Sequence, residues 1–200
     1  MQTSSILRYS PSSSFLSLCA MCAATVAGLW LGAPSVARAD ITLAAEARYG
    51  TPVGAWTAEP GGGTGTELRL GASLGVPGLL VMPELVAFQH TFDATGGHET
   101  QYDAYRLGAG LRVGMGAVVR PSVFAHLGYG WLEGTGSDYV IHEDGMTMDL
   151  GCALDLTVLP LVDFGISASY VVLSHRDSPN PSLPADNAWV TAGAHVSITF

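Results

Sequence analysis

The sequence contains no lysine and few charged residues of any kind. Only 12% of its 200 residues are charged, with eight arginines against 17 acidic residues and a formal net charge of −9. Proteins that bind nucleic acids need clustered basic side chains to contact the phosphates. The acidic balance therefore excludes a nucleic-acid partner.

Cysteine is also scarce. Cys19 and Cys22 lie near the N-terminus, and Cys152 is the only cysteine in the remainder of the chain. One cysteine cannot form an internal disulfide. Cys152 lies on the apolar side of an alternating segment, which favours a small hydrophobic role over that of a reactive thiol.

Long apolar runs are absent except near the N-terminus, at residues 15–32. This run follows a positively charged start and precedes Ala37-Arg38-Ala39, which has the small-x-small pattern of a signal-peptide cleavage site. We therefore predict a cleaved secretory signal over residues 1–39 and a single domain over residues 40–200. An uncleaved membrane anchor is the alternative, because the run is nearly long enough to cross a bilayer.

The remaining chain is rich in glycine and alternates between apolar and polar residues. The even positions from Val190 to Phe200 are apolar, whereas the odd positions from Thr191 to Thr199 are small or polar. A period of two places the two sets on opposite faces of a strand. Eight segments show this alternation: 41–50, 66–76, 79–91, 103–114, 118–132, 146–158, 161–174 and 187–200.

The connections between these segments alternate between long and short. The long ones, rich in polar residues or in glycine and proline, are 51–65, 92–102, 133–145 and 175–186; the short ones are Pro77-Gly78, Gly116-Ala117 and Leu159-Pro160. Barrels of the outer membrane have short periplasmic turns and longer external loops. Closure leaves no backbone group unpaired in lipid. The pattern predicts an all-β, eight-stranded, antiparallel up-and-down transmembrane β-barrel rather than a soluble sandwich.

The whole-chain pattern resembles the small eight-stranded outer-membrane β-barrels of the OmpA/OmpX and opacity type, within the porin superfamily. The resemblance depends on the signal that ends at Ala39, on the eight segments and on the terminal Val196-Ser197-Ile198-Thr199-Phe200. That terminus is similar to the signal read by the barrel-assembly machinery, with Ile198 and Phe200 as its apolar positions, although His195 stands where such signals often have glycine. The resemblance implies a monomer, exported through the inner membrane by its signal peptide. Its partners would be outer-membrane lipid and the assembly machinery.

Charged residues recur on the polar face of the predicted strands, which would line the lumen. They are six carboxylates and five arginines: Glu46, Arg48, Glu67, Arg69, Glu84, Arg106, Arg112, Arg120, Asp149, Asp155 and Asp163. Unpaired charges in a narrow interior of low dielectric constant are costly, so the near balance predicts Arg–carboxylate pairs across strands. An eight-stranded barrel is just wide enough for its side chains to fill it. A filled lumen is therefore favoured over a narrow ion channel lined by the same residues.

Two further features concern the surface. The outward positions Tyr49, Tyr105, Tyr129, Trp131 and Tyr170 predict an aromatic girdle at a membrane interface. Most other acidic residues lie in or beside the long connections, where they would attract divalent cations. His98-Glu99 and His142-Glu143-Asp144 lack the spacing of a recognised metal site, so we predict no bound metal or cofactor.

An enzymatic alternative comes from one late segment. Lipid A deacylases, which have the same architecture, carry a His-x-Ser-Asn stretch, and Ser174-His175-Arg176-Asp177-Ser178-Pro179-Asn180 is faintly similar. In a strand, His175 and Ser178 would face opposite sides, so no His–Ser hydrogen bond is expected. The sequence therefore predicts a surface or structural scaffold without catalytic residues. A narrow channel and a lipid A-modifying hydrolase remain the alternatives.

Overall fold

The computed structural model describes residues 40–54, 60–76, 79–94, 101–135, 140–175 and 186–200. They form eight strands: β1 (Asp40–Val53), β2 (Pro60–Val76), β3 (Leu79–Ala94), β4 (Gln101–Met115), β5 (Val119–Thr135), β6 (Val140–Leu159), β7 (Val162–His175) and β8 (Asp186–Thr199). Each strand pairs antiparallel with its neighbours in the chain, and β8 pairs with β1 to close the barrel. The predicted fold class is confirmed. The predicted signal at residues 1–39 lies outside the described residues and stays a prediction.

The strands are staggered around the barrel. Glu46 of β1 pairs with Glu67 of β2 on one side and with His195 of β8 on the other. The two directions around the barrel from Glu46 reach β7 at different residues. Through Glu67 and the paired residues of β3 to β6, the row arrives at His175, at the end of β7. Through His195 of β8, it arrives at Gly165, near the start of β7. The paired rows therefore climb along the barrel, which means that the strands are tilted to its axis.

Several strands extend further toward the long connections than the sequence predicts. β2 begins at Pro60 rather than at residue 66, and β6 begins at Val140 rather than at residue 146. Residues 63–66 pair with both neighbouring strands, and 140–145 pair with β5. The outward side chains described in these extensions, those of Thr64, His142 and Asp144, are polar, so the apolar alternation stops there although the backbone pairing continues. Periodicity of hydrophobicity could not reveal them.

At the opposite end the strands are joined by short turns. Gly116 has a φ of 108°, a conformation that residues with side chains rarely adopt, and it opens the turn between β4 and β5. Pro160 and Leu161 form the turn between β6 and β7. The predicted turn at Pro77-Gly78 lies outside the described residues.

The two faces of the sheet are reversed relative to those of a soluble protein. The outward side chains Leu127 and Ile166 are each 61% exposed, whereas the inward side chains Glu67 and Arg106 are 1% and 2% exposed. Charged groups are therefore buried and apolar groups cover the outside. Within the described part of the chain, no helix is long and apolar enough to cross a membrane.

Candidate functional site: the lumen

The lumen is the candidate site because it gathers the charged residues that the strands point inward. Its centre is a cluster of two arginines and two glutamates. Arg48 donates from Nε to Glu46 and from Nη2 to Glu67, each at 2.8 Å, and Arg69 donates from Nη1 to Glu46 at 2.6 Å. All four residues are at most 4% exposed. Each carboxylate thus faces more than one guanidinium, which offsets the cost of burying it.

Arg106 links this cluster to the other side of the barrel. Its Nη2 lies 2.9 Å from an oxygen of Glu67 on β2 and 2.9 Å from an oxygen of Asp149 on β6. Its Nε and Nη1 have no hydrogen-bond partner within the described ranges, and its guanidinium carbon lies 5.2 Å from the ring centre of Phe88. The charge is therefore balanced by two carboxylates and one aromatic face.

A second cluster lies nearer the short turns. Arg112 donates from Nε to Glu84 at 2.9 Å and from Nη1 to Ser122 at 3.2 Å. His126 joins the two clusters, because its Nε2 lies 2.9 Å from Glu84 and its Nδ1 lies 3.4 Å from Asp149.

A third cluster closes the network at the ends of β5, β6 and β7. Arg120 donates to Asp163 at 2.6 Å and lies 3.8 Å from Asp155. Nε2 of His195 lies 2.6 Å from Asp155, and its Nδ1 lies 3.6 Å from Glu46 in the central cluster. The structure therefore brings all eleven predicted lumen residues into one connected network. His126 and His195 complete it; they occupy polar-face positions of their strands, but nothing in the sequence signals that they bridge carboxylates.

Two inward glycines leave space for this network. A Cβ atom at Gly193 would come within 2.8 Å of Cγ of Arg48 and closer still to Glu46. A Cβ atom at Gly165 would lie 2.7 Å from Asp155 and would contact the ring of His195. β7 and β8 thus carry glycine where inward side chains of β1, β6 and β8 need the space.

Above the network, toward the long connections, the lumen is filled by apolar side chains. These residues form the plug, all at most 3% exposed: Phe88, Phe92, Tyr102, Ala104, Leu132, Val171, Leu173 and Trp189. The ring of Trp189 packs edge-on against Phe92 with 5.7 Å between centroids, and His90 packs between Phe88 and Phe92. The sequence did not reveal the plug, because two of its eight residues, Phe92 and Tyr102, lie in the segment 92–102 that was assigned to a loop.

Below the network, a cavity of about 130 Å³ is lined by Arg69, Arg112 and His195 at its inner end and by Thr42 and Thr199 near the strand ends. The plug and the network separate this cavity from the end with the long connections. The described part of the lumen thus holds, in order from the short-turn end, this cavity, the ionic network and the apolar plug.

The end with the long connections carries acidic residues on the strand extensions. Asp103 accepts a hydrogen bond from Thr91 at 2.6 Å, Asp144 accepts one from Tyr129, and Glu143 accepts one from Asn187 at 2.9 Å. The carboxylates are thus held by neutral donors. Among the described residues, no group of three or more His, Cys, Asp or Glu side chains could hold a metal ion.

The outward aromatic residues lie in the halves of their strands nearer the long connections, at what we call the aromatic level. Tyr49, Tyr129 and Tyr170 are 44–58% exposed, and Tyr105 stacks on Trp131 with 5.5 Å between ring centroids. Cys152 is exposed within the apolar belt below them. Of the residues in the enzymatic alternative, His175 ends β7 and Ser178 lies outside the described residues, so the structure describes no His–Ser pair there.

The closed eight-stranded sheet, the apolar exterior and the charged interior define the class of small transmembrane β-barrels. Solved structures of outer-membrane proteins share the fold. Neisserial surface protein A superposes with a TM-score of 0.57 at 14% identity, covering 80% of this chain and 97% of that chain. Ail, the attachment invasion locus protein of Yersinia pestis, gives 0.55 at 13% identity, covering 81% and 99%.

At these identities the likeness establishes the fold, which is that of the small eight-stranded outer-membrane β-barrels. A further Ail structure, in complex with the heparin analogue sucrose octasulfate, gives a TM-score of 0.50 at 14% identity, covering 81% of this chain and 99% of that chain. No protein-family profile and no curated protein matches the sequence.

Proposed function

We propose that the protein is an outer-membrane scaffold. Its barrel does not conduct ions, and it contacts its surroundings through the outer rim, at the end with the long connections. The observation that carries this proposal is the lumen, in which a connected ionic network and an apolar plug lie one above the other. Ion conduction needs a continuous hydrated path with sites that bind weakly. The buried ion pairs of the network and the packed rings of the plug support the absence of such a path.

In this proposal the signal at residues 1–39 exports the chain, and Ile198 and Phe200 serve as its assembly signal. The outward apolar belt contacts lipid, and the protein acts as a monomer; the closed barrel supports this, because it leaves no sheet edge to pair with a second copy. The acidic rim attracts divalent cations diffusely, without a built metal site. No residue has a catalytic role.

Single-channel conductance of the purified protein in a planar bilayer tests the proposal. Folding is first checked by the change in gel mobility on heating. A folded barrel should give no steady current, because ions cannot pass the network and the plug. Steady steps of defined size would contradict the scaffold and would support the narrow channel lined by the same charged residues.

A further inference from the structure

The short-turn end of the barrel is apolar, although an end that projects into water would be expected to carry polar residues. Six side chains there are each more than half exposed: Met115, Val118, Val119, Leu159, Leu161 and Phe200. We call them the turn-end surface. The one charged side chain exposed at this end, among the described residues, is that of Asp40, which lies at the mouth of the lumen cavity. Arg120 and Asp163 also lie at this end, but they point inward and pair with each other.

From the turn-end surface we infer that this end of the barrel is immersed in lipid: the described turns, at 116–118 and 160–161, lie within the inner boundary of the membrane rather than beyond it. The inference rests on the proposal that the protein lies in the outer membrane. Phospholipid is then what covers the turn-end surface.

The apolar belt continues without interruption into the turn-end surface. The outward residues Leu156, Phe164 and Ile198 are 41–51% exposed, and they join the apolar belt directly to the turns without a polar step. Exposed apolar patches of this extent are rare on surfaces that face water. The belt and the turn-end surface are therefore one surface, and one solvent covers both.

The distance along the barrel axis from the aromatic level to the turns also supports immersion. Tyr129 marks the aromatic level on β5, and Val119 is the first residue of that strand. The chain between them is about 33 Å long at ~3.3 Å per residue. With strands tilted by about 40°, this corresponds to about 25 Å along the barrel axis, which is the height of the apolar band of an outer-membrane barrel. If the tyrosines lie at the outer interface, the inner interface falls at the turns.

The hydrogen bonds of the backbone at the turns also suit a lipid environment. Unpaired carbonyl groups are tolerated in water but are costly in lipid. The carbonyl of Val118 accepts a hydrogen bond from the amide of Thr157 at 2.9 Å, and that of Ala117 accepts one from the hydroxyl of Thr157 at 3.2 Å. In the same way, the carbonyl of Leu161 accepts from the amide of Thr199 at 2.9 Å. These turn carbonyls are thus bonded to the adjacent hairpin or strand, as immersion requires.

The chain end is also tied down. The amide of Phe200 donates to the carbonyl of Ile41 at 2.8 Å, and the amide of Ile41 donates to an oxygen of Phe200 at 3.2 Å. These bonds hold the exposed ring of Phe200 at the level of the turns, where it extends the same apolar surface.

Fluorescent labelling in phosphatidylcholine nanodiscs, which leave both faces of the bilayer accessible, tests the inference. An environment-sensitive dye is attached to the variants Val118→Cys and Leu161→Cys in a Cys152→Ala parent, which must itself take up no dye. Leu127→Cys serves as the control for the belt and Glu133→Cys as the control for the rim. Two turn positions are used so that failure of one variant to fold does not decide the result.

We expect dyes at Val118 and Leu161 to lose most of their fluorescence with brominated phosphatidylcholine and little with aqueous iodide, as at Leu127. The dye at Glu133 should show the reverse. Quenching by iodide alone at both turns, with Leu127 still quenched by lipid, would overturn the inference and leave the membrane proposal standing. Iodide quenching at Leu127 as well would overturn both the inference about the turns and the proposal that the protein lies in a membrane. Protection of the turns from both quenchers would mean that a second copy or another protein covers the turn-end surface, which would also overturn lipid as its occupant.

Discussion

The arginines of the lumen differ in how far water reaches them. Arg106 bridges Glu67 and Asp149 across the barrel and is 2% exposed, whereas the side chain of Arg120 is 21% exposed and lies at the mouth. Removing one partner of a buried ion pair leaves an uncompensated charge, which typically costs about 3–5 kcal/mol. The cost falls where water reaches the group that is left behind.

We therefore expect Arg106→Ala to lower the free energy of unfolding by about 3–5 kcal/mol. The measurement is a urea titration of the barrel in lipid vesicles, followed by tryptophan fluorescence. Arg120→Ala is the matched control and should cost clearly less, because the Arg120 side chain is 21% exposed at the mouth and Asp163 keeps its hydrogen bond from Thr157. Equal losses in the two variants would contradict the view that the centre of the network is what stabilises the barrel.

At the scale of elements, the alternation within a strand allowed both faces to be read from the sequence. The eleven inward charged residues follow from period two alone, because a strand that crosses lipid places every second side chain in the lumen. Which groups pair does not follow, because pairing depends on the stagger between strands. Arg106 of β4 reaches Asp149 of β6, which is not on an adjacent strand. The aromatic plug was missed for a related reason, since Phe92 and Tyr102 fall in a segment read as a loop.

The glycines of β7 and β8 give a prediction that depends on which face of the strand they occupy. A side chain at Gly193 would displace Glu46 and Arg48, and overpacking of this kind typically costs about 1–3 kcal/mol. We expect Gly193→Val to lower the urea midpoint of unfolding. The adjacent Ala192→Val substitution, on the outward face, should leave the midpoint unchanged because it adds a side chain to the lipid-facing surface. A midpoint that shifts by the same amount in both variants would show that strand propensity, rather than space for the network, is being measured.

For ion passage through the whole molecule, the order of the plug and the ionic network matters more than either one alone. The plug is apolar and lies toward the long connections, and the network lies beneath it, so a path through the barrel must cross both. Phe88 belongs to both, because it packs in the plug and lies over the guanidinium of Arg106. Phe92 and Trp189 belong to the plug alone and contact each other.

Removing the plug should therefore leave the barrel closed. We expect the double variant Phe92→Ala/Trp189→Ala to be less stable, since each large-to-small change in a packed core costs roughly 3–5 kcal/mol. It should nevertheless remain silent in a planar bilayer, because Arg48, Arg106 and their carboxylates still fill the cross-section below. The decisive comparison adds Arg106→Met, which removes the bridge between the two sides of the network. If the double variant already conducts steadily while folded, the plug is the only barrier and the ionic layer is hydrated; if only the triple variant conducts, the two barriers act in series.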